Sequence, residues 1–422
     1  MGFYKELDYQ KWGRKLDFVS WDSYPSNEAS YAEIAMGHDL MRGVGGGKPF
    51  ALMEQTPSSA NWLPFNALKR PGVMRLWSYQ ALAHGSDTVM FFQMKRSLGG
   101  CEKHHGALID HVGTGETRVY REMVELGREL EALGGVFLGA RTPAKIAVMF
   151  DWDNWWALEH SIGPSQLLDY PEEWKRWYTA LREMNYDVDV ISPGDELSGY
   201  RLVVAPLWYM VKGEDDRSVR RFVKEGGTFV SGFFSGIVQE NDLAVSGGYP
   251  GKLRDILGIW LEEWDALAAD YENAFVYQGH TYPAYRLCDL VHMEHAKQVD
   301  EQGYCEDFYR GFPVVTKSEY GKGRAYYVAT ASSGEFYRAF LSDLCAEAGV
   351  EPVLRTPEGV EAAARENENG SFVFLMNHTE EEKWVFFPWD GEEMLGGEVL
   401  RAGEEVMLTP HGVMVVRKWF GG

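Results

Sequence analysis

By pattern the chain is an α/β protein that ends in a small all-β module. Three observations predict this. Residues 1–137 alternate short apolar runs with amphipathic helical stretches closed by glycine, the spacing of a parallel sheet. Residues 138–352 repeat the βαβ pattern of a doubly wound layer. From about residue 353 only period-two strands remain. A chain of 422 residues accommodates two or three domains, and the boundaries read as 1–137, 138–352 and 353–422.

Each element follows from local chemistry. Residues 9–16 read as a short helix and 17–24 (DFVSWDSY) as a buried strand. Residues 31–42 are helical and stop at Gly43 and the run Gly45-Gly46-Gly47. A second strand spans 49–54, a helix 73–84 stops at Gly85, and a third strand spans 88–93 (TVMFFQ). A long loop leads to a helix over 117–133, ended by Gly134-Gly135. In the second stretch, strands are expected at 144–150, 188–191, 202–205, 228–232 and 324–330. Helices are expected there at 172–184, 216–225 and 335–348, and residues 270–315 read as irregular. The last module predicts strands at 359–362, 371–376, 382–387, 397–400 and 413–418.

The totals narrow the function. Formal net charge is −22, from 63 acidic and 41 basic residues. Such a surface repels phosphate backbones, and no basic stripe offsets it, so no nucleic-acid partner is expected. No run of eighteen apolar residues predicts a membrane span. Cys101, Cys288, Cys305 and Cys345 are widely spaced, which suggests free thiols rather than a disulfide framework or zinc knuckle. With no leader pattern in view, these thiols point to the cytoplasm. Fifteen Trp, 22 Tyr and 22 Phe are an unusual number; many can simply be core, and the rest commonly line sites for flat apolar ligand faces, sugar rings included.

Glu54 is the most informative residue. Apolar residues lead straight into it, and Gln55 and Thr56-Pro57 follow. A charge at the tip of an apolar strand is costly without a partner or a task. It is either a salt-bridged strand end or a catalytic carboxylate at the carboxyl end of a barrel strand. Trp62, eight residues on, is placed to cover a sugar ring. Tyr24, at the end of the preceding strand, can hydrogen-bond Glu54 and keep it ionised. Glu102 and His105, after the third strand, suit vicinal hydroxyls. Together with His104 they also suit a metal, or simply a solvated loop.

The segments LDFVSWDSYP, GKPFALMEQTPSSANW, LKRPGVMRLWSYQALAHGSDTVMFFQ and GGCEKHHGALIDHVG resemble the β-galactosidases of glycoside hydrolase family 42. The likeness continues through FDWDNWWALE, YDVDVISP, APLWYMV and GGTFVSGFFSGIVQENDL. The resemblance implies the last three strands of a (β/α)8 TIM barrel, an amidotransferase-like trimerisation domain and a C-terminal β-sandwich domain. It further implies a retaining β-galactosidase in which Glu54 is the nucleophile. Trp62, Phe92, Glu102 and His105 are implied to contact a galactoside or oligosaccharide, with Tyr24 beside the nucleophile. A homotrimer is implied. No cofactor is expected. No metal is assigned, because the cysteines of the family's structural zinc site have no counterpart here.

One departure stands out. Retaining hydrolysis needs two carboxyls about 5–5.5 Å apart, and the family's acid/base is a glutamate preceded by asparagine on the fourth strand. Asn27-Glu28 and Asn367-Glu368 are the Asn-Glu pairs considered, and both sit in the wrong context. A full barrel takes about 250 residues, so five βα units are expected to be missing from an N-terminally truncated chain. Amidotransfer is not expected, since the turn after 228–230 carries no cysteine. The alternative to the glycosidase reading is a non-catalytic oligomerisation or sugar-binding protein.

Overall fold

The computed structural model describes residues 3–419; residues 1–2 and 420–422, the ends of the first and last predicted domains, lie outside that range. The first stretch forms α1 (Tyr9–Gly13), β1 (Ser20–Asp22), α2 (Tyr31–Val44), β2 (Phe50–Glu54), α3 (Val73–Ala83), β3 (Ser86–Val89) and α4 (Arg118–Leu133). The strands make one parallel sheet in the order β1-β2-β3. A capping box starts α2: the Ser30 hydroxyl accepts from the Glu33 amide, and the Glu33 carboxylate accepts from the Ser30 amide.

Two strands differ from expectation. β1 covers only three residues of the expected 17–24, because Phe18 is 62% exposed and marks no buried strand. β3 begins at Ser86 and ends at Val89, not 88–93. Ser86 is fully buried, yet its hydroxyl accepts from the Leu52 amide (3.1 Å) and donates to the Thr88 carbonyl (2.6 Å). A polar residue with its bonds made sits inside a strand at little cost. Helix α1 stops at Gly13, short of the expected Leu16.

The middle stretch forms β4 (Ile146–Met149), α5 (Trp152–His160), α6 (Tyr170–Glu183), β5 (Val188–Ile191), β6 (Leu202–Ala205), α7 (Asp216–Glu225) and β7 (Thr228–Gly232). It continues through α8 (Arg254–Leu257), β8 (Ile259–Ala266), β9 (Asn273–Tyr277), β10 (His280–Met293), β11 (Lys297–Gln298), β12 (Val315–Tyr320), β13 (Gly323–Val328), β14 (Thr330–Ala331) and α9 (Gly334–Glu347). Its main sheet runs β11-β12-β13-β7-β6-β4-β5, parallel from β13 to β5. β4 and β6 are buried at every position, as strands covered on both faces must be.

The irregular reading of 270–315 is corrected: β9, β10 and β11 lie there, and β10 alone is fourteen residues long. Its register against β14 shifts between Tyr285 and Cys288, and Arg286 has φ +73°. A bulge breaks the two-residue period, so alternation does not reveal the strand. The segment after β4, which the pattern left unassigned, is α5, capped by Asp151 and burying Trp152 and Trp155. After β7, Gly232 approaches Pro206 so closely that a Cβ would come 1.8 Å from its carbonyl oxygen.

The last stretch forms β15 (Val360–Asn367), β16 (Gly370–Asn377), β17 (Lys383–Phe386), β18 (Gly391–Glu393), β19 (Val399–Leu400), β20 (Glu405–Leu408) and β21 (Val413–Lys418). β15, β16, β21, β18 and β19 form one antiparallel sheet, and β17 pairs β20. Alternate residues feed two cores, as the period-two pattern requires. Ala363, Phe372, Phe374 and Val415 pack with Leu76, Leu82, Leu126 and Phe137 of the first stretch. Ala362, Val373, Leu375 and Val416 pack with Val385, Phe387 and Leu408.

Contacts divide the chain into two compact units. One holds the residues up to 143, 182–187 and those from 352 onward; the other holds 144–181 and 188–351. The first unit carries a fully buried ionic cluster. His84 bonds Asp39 through Nδ1 (2.7 Å) and Glu361 of β15 through Nε2 (2.9 Å). Arg42 donates to Asp39, and Gln80 and His378 also meet Glu361. Burial works against a charge on His84, but the two carboxylates outweigh it and raise its pKa to about 9. The neighbouring His38 is pushed down to about 3, by burial first and by His84 second.

Candidate active site

The site grows from the carboxyl end of β2. Phe50, Ala51 and Leu52 are buried, and Glu54 emerges half-buried at the end of the strand. Alongside, the Ser23 amide donates to the Glu54 carbonyl at 2.8 Å, which carries Tyr24 past the strand end. The Tyr24 hydroxyl then donates to Glu54 Oε2 at 2.7 Å. Burial, followed by this bond and the Glu54 charge, raises the Tyr24 pKa, so the phenol stays a donor.

Trp62 arrives on the loop after β2. Asn61 Nδ2 donates to the Cys101 carbonyl (2.9 Å), and the Gly106 amide donates to the Ser59 carbonyl (2.8 Å). These bonds tie the loop after β2 to the loop after β3. Glycine is required at 106, because a Cβ there would lie 2.9 Å from the Ser59 nitrogen and 3.0 Å from Ser58 Cβ. The tie brings four rings together. Tyr24 meets Trp62 edge-on at 4.8 Å, and His105 stacks on Trp62 at 5.3 Å. His105 also meets Tyr24 at 5.8 Å and Phe92 at 5.1 Å. Trp62 keeps 56% of its surface exposed, a flat apolar face beside a carboxylate.

His105 is fully buried, and its Nδ1 lies 2.8 Å from the Gly106 carbonyl. A carbonyl only accepts, so Nδ1 carries the proton and Nε2 the lone pair. That Nε2 is buried and has no partner among the described residues, so its lone pair is unsatisfied. The Glu102 side chain is exposed; its carbonyl accepts from the His105 amide (3.0 Å) and from Gln93 Nε2 (3.3 Å). Its charge adds a small part to the rise of Tyr24. Glu102, His104 and His105 form no ligand set, since no group of three or more such side chains among the described residues could hold a metal.

Tyr24, Glu54, Trp62, Phe92 and His105 thus converge, with Glu102 on the rim. Sequence reasoning passed over Asp22, which pairs with Glu54 in the β1–β2 ladder. Burial and then the Glu54 charge raise its pKa. The signal was its place two residues before Tyr24, at the same strand end. Asn27-Glu28 lies in the turn after β1, where Asn27 Nδ2 donates to the Ala67 carbonyl at 3.0 Å. Asn367 ends β15 and donates to the Val136 carbonyl at 3.0 Å. All four cysteines are free thiols, and no helix among the described residues is long and apolar enough to cross a membrane.

Comparison with known proteins accounts for nearly the whole chain. Residues 1–133 match the model of β-galactosidase, 144–351 that of the β-galactosidase trimerisation domain, and 359–418 that of the β-galactosidase C-terminal domain. The chain is 51% identical to β-galactosidase BgaA of Planococcus sp. (strain 'SOS Orange'), over 99% of its own length and 62% of that protein's. The crystal structure of β-galactosidase from Bacillus circulans sp. alkalophilus superposes with a TM-score of 0.96 at 49% identity, covering 99% of this chain and 62% of that one. The cold-adapted β-galactosidase from Rahnella sp. R3 gives a TM-score of 0.93 at 42% identity, covering 99% and 63%. By class, therefore, the chain falls among the glycoside hydrolase families. It belongs to glycoside hydrolase family 42, the β-galactosidases. It spans about three fifths of the length of these relatives.

Proposed function

We propose that this chain carries the nucleophile half of a retaining hydrolase for terminal β-D-galactosides, with Glu54 forming the covalent galactosyl–enzyme. The carrying observation is the 2.7 Å bond from the Tyr24 hydroxyl to Glu54 Oε2 at the end of β2. A neutral phenol donates to a carboxylate and holds it ionised, leaving Oε1 to meet the anomeric carbon. The exposed Trp62 ring suits the apolar face of galactose, and Phe92 meets the neighbouring His105 edge-on. The lone pair of His105 Nε2 accepts from one sugar hydroxyl, and Glu102 accepts from another.

The three parallel strands are read as part of a (β/α)8 barrel. In support, Asp22, Tyr24, Glu54 and Trp62 all gather at their carboxyl ends, where such barrels place chemistry. Met53, in β2, and Met90, directly after β3, are exposed. Neither Glu28 nor Glu368 is assigned as acid/base, and no residue of this chain is proposed for that role. The match of 144–351 to a trimerisation domain supports a homotrimer.

The test uses a dinitrophenyl β-galactoside, whose leaving group departs as an anion without a proton. Glu54→Ala with azide should yield the α-galactosyl azide: azide forms one C–N bond as the C–O bond to dinitrophenolate breaks, with a single inversion. A 2-deoxy-2-fluoro analogue should label the wild-type chain on the peptide that contains Glu54. Labelling on another residue, or none at any concentration, overturns the assignment and favours a non-catalytic sugar-binding or oligomerisation protein.

A further inference from the structure

Lys69 is a buried cation that the catalytic reading leaves unused. It is 2% exposed, and the described residues give it no carboxylate partner. An unpaired buried charge is expensive, and an apolar side chain would fill this space at lower cost. Lys69 Nζ instead donates to the Thr56 carbonyl at 2.5 Å and to Gln55 Oε1 at 3.3 Å. It also lies 4.5 Å over the Trp77 ring of α3, which offers the ammonium a negative face.

Both oxygen partners belong to the two residues directly after Glu54. Gln55 is held at its other end as well: its Nε2 donates to Ser78 Oγ of α3 at 2.8 Å. Its amide donates to the Met90 carbonyl, and its carbonyl accepts from the Phe92 amide, each at 3.1 Å. The Lys69 ammonium closes this frame. It converts a strand exit, which a loop of small residues would leave loose, into a fixed turn.

We propose that Lys69 is a positioning residue for Glu54, its ammonium pinning Gln55 and Thr56 so that the carboxylate stays under the Tyr24 hydroxyl. The inference rests on Glu54 being the nucleophile. Other groups face Lys69 from each neighbouring element. Tyr24 and Glu28 stand on the wall of a cavity of ≈ 160 Å³ that Lys69 also lines. Arg118, paired with Glu122, donates to the Lys69 carbonyl at 3.1 Å. Trp77 and Ser78 come from α3. Burial lowers the Lys69 pKa to about 7, so the hold is complete in acid and weakens as pH rises through neutrality.

The test is hydrogen exchange by mass spectrometry on the whole chain, following peptides across 50–62 with rates divided by their intrinsic values. In the wild type, exchange at 55–59 should rise about tenfold between about pH 6 and pH 8, the loss of one charge-assisted bond. Lys69→Met should show the faster rate at both pH values, with α2 and β16 unchanged. Fluoro-sugar labelling of Glu54 should slow about tenfold in Lys69→Met with the inhibitor's affinity kept. Equal exchange at 55–59 in the wild type and Lys69→Met at pH 6 overturns the proposal, and so does a pH step that survives in Lys69→Met. Absence of labelling in the wild type strikes the nucleophile reading instead, while the exchange arm still decides the role of Lys69.

Discussion

Replacing Glu361 by glutamine should uncouple the C-terminal β module from α2 and α3. His84 has a carboxylate on each ring nitrogen, at 2.7 and 2.9 Å, and carboxylates only accept, so the ring must be the imidazolium. Glu361 also takes a bond from Gln80 Nε2 (2.8 Å), meets His378 Nε2 (3.0 Å) and lies 3.5 Å from Arg182 Nε. Burial disfavours its charge, but His84 and His378 outweigh this and hold its pKa well below the usual carboxylate range. The glutamine variant keeps the shape and removes one charge, leaving His84 with Asp39 alone. Breaking a buried pair costs about 3–5 kcal/mol.

The pH dependence gives a second handle on the same cluster. His84 moves from 6.5 unfolded to about 9 folded. Its contribution is therefore complete below 6.5 and lost as pH rises through 9, a difference of about 3 kcal/mol for 2.5 units. The chain has two compact units, so one global unfolding curve does not isolate the effect. Exchange protection of the β15 and β16 amides does. Wild-type protection, corrected for intrinsic rates, should fall between pH 6.5 and 10, and Glu361→Gln should start low and fall less, since Asp39 alone still favours the imidazolium. A variant within about 1 kcal/mol of wild type at pH 6.5 refutes the reasoning.

Three further outcomes are expected. Gly106→Ala should cost about 1–3 kcal/mol, because Ser58 and Ser59 must give way, and should weaken galactose binding as His105 shifts; calorimetry and a binding titration check both. Tyr24→Phe should slow fluoro-sugar labelling of Glu54 about 10–100-fold, the worth of one hydrogen bond to a charge, with an unchanged circular dichroism spectrum. Phe374→Ala removes a fully buried ring packed 5.6 Å from Phe137, and should lower stability of the first unit by about 3–5 kcal/mol, measured by local exchange.

Much of the fold was legible because its signals are local. Gly85 and Gly134-Gly135 mark where helices stop, whereas α2 runs through the expected stop at Gly43 to Val44 and is capped by Gly45, and the unbroken apolar run before Glu54 marks a strand. Tyr24 and Glu54 stand at neighbouring strand ends in the sequence, and their bond follows from parallel pairing of β1 and β2. Other features were hidden for physical reasons. Ser86 looks like a loop residue until its hydroxyl is seen bonded within the ladder. β10 was missed because a bulge at Tyr285–Cys288 and a proline at 283 erase its period.

The sequence by itself determined what near neighbours decide: the α/β order, the glycine stops, the strand-end carboxylate, the alternation of β15 and β16, and membership in a sugar-cleaving family. Tertiary structure alone decided what distant residues decide. His84 meets Asp39 across 45 positions and Glu361 across 277. Trp62, His105 and Tyr24 share one wall only because Gly106 lets two loops touch. Lys69 became informative only once the structure showed it buried, without a carboxylate partner among the described residues and bonded to two oxygens beside Glu54. A charge's meaning depends on its dielectric and its partners, and a linear pattern carries neither.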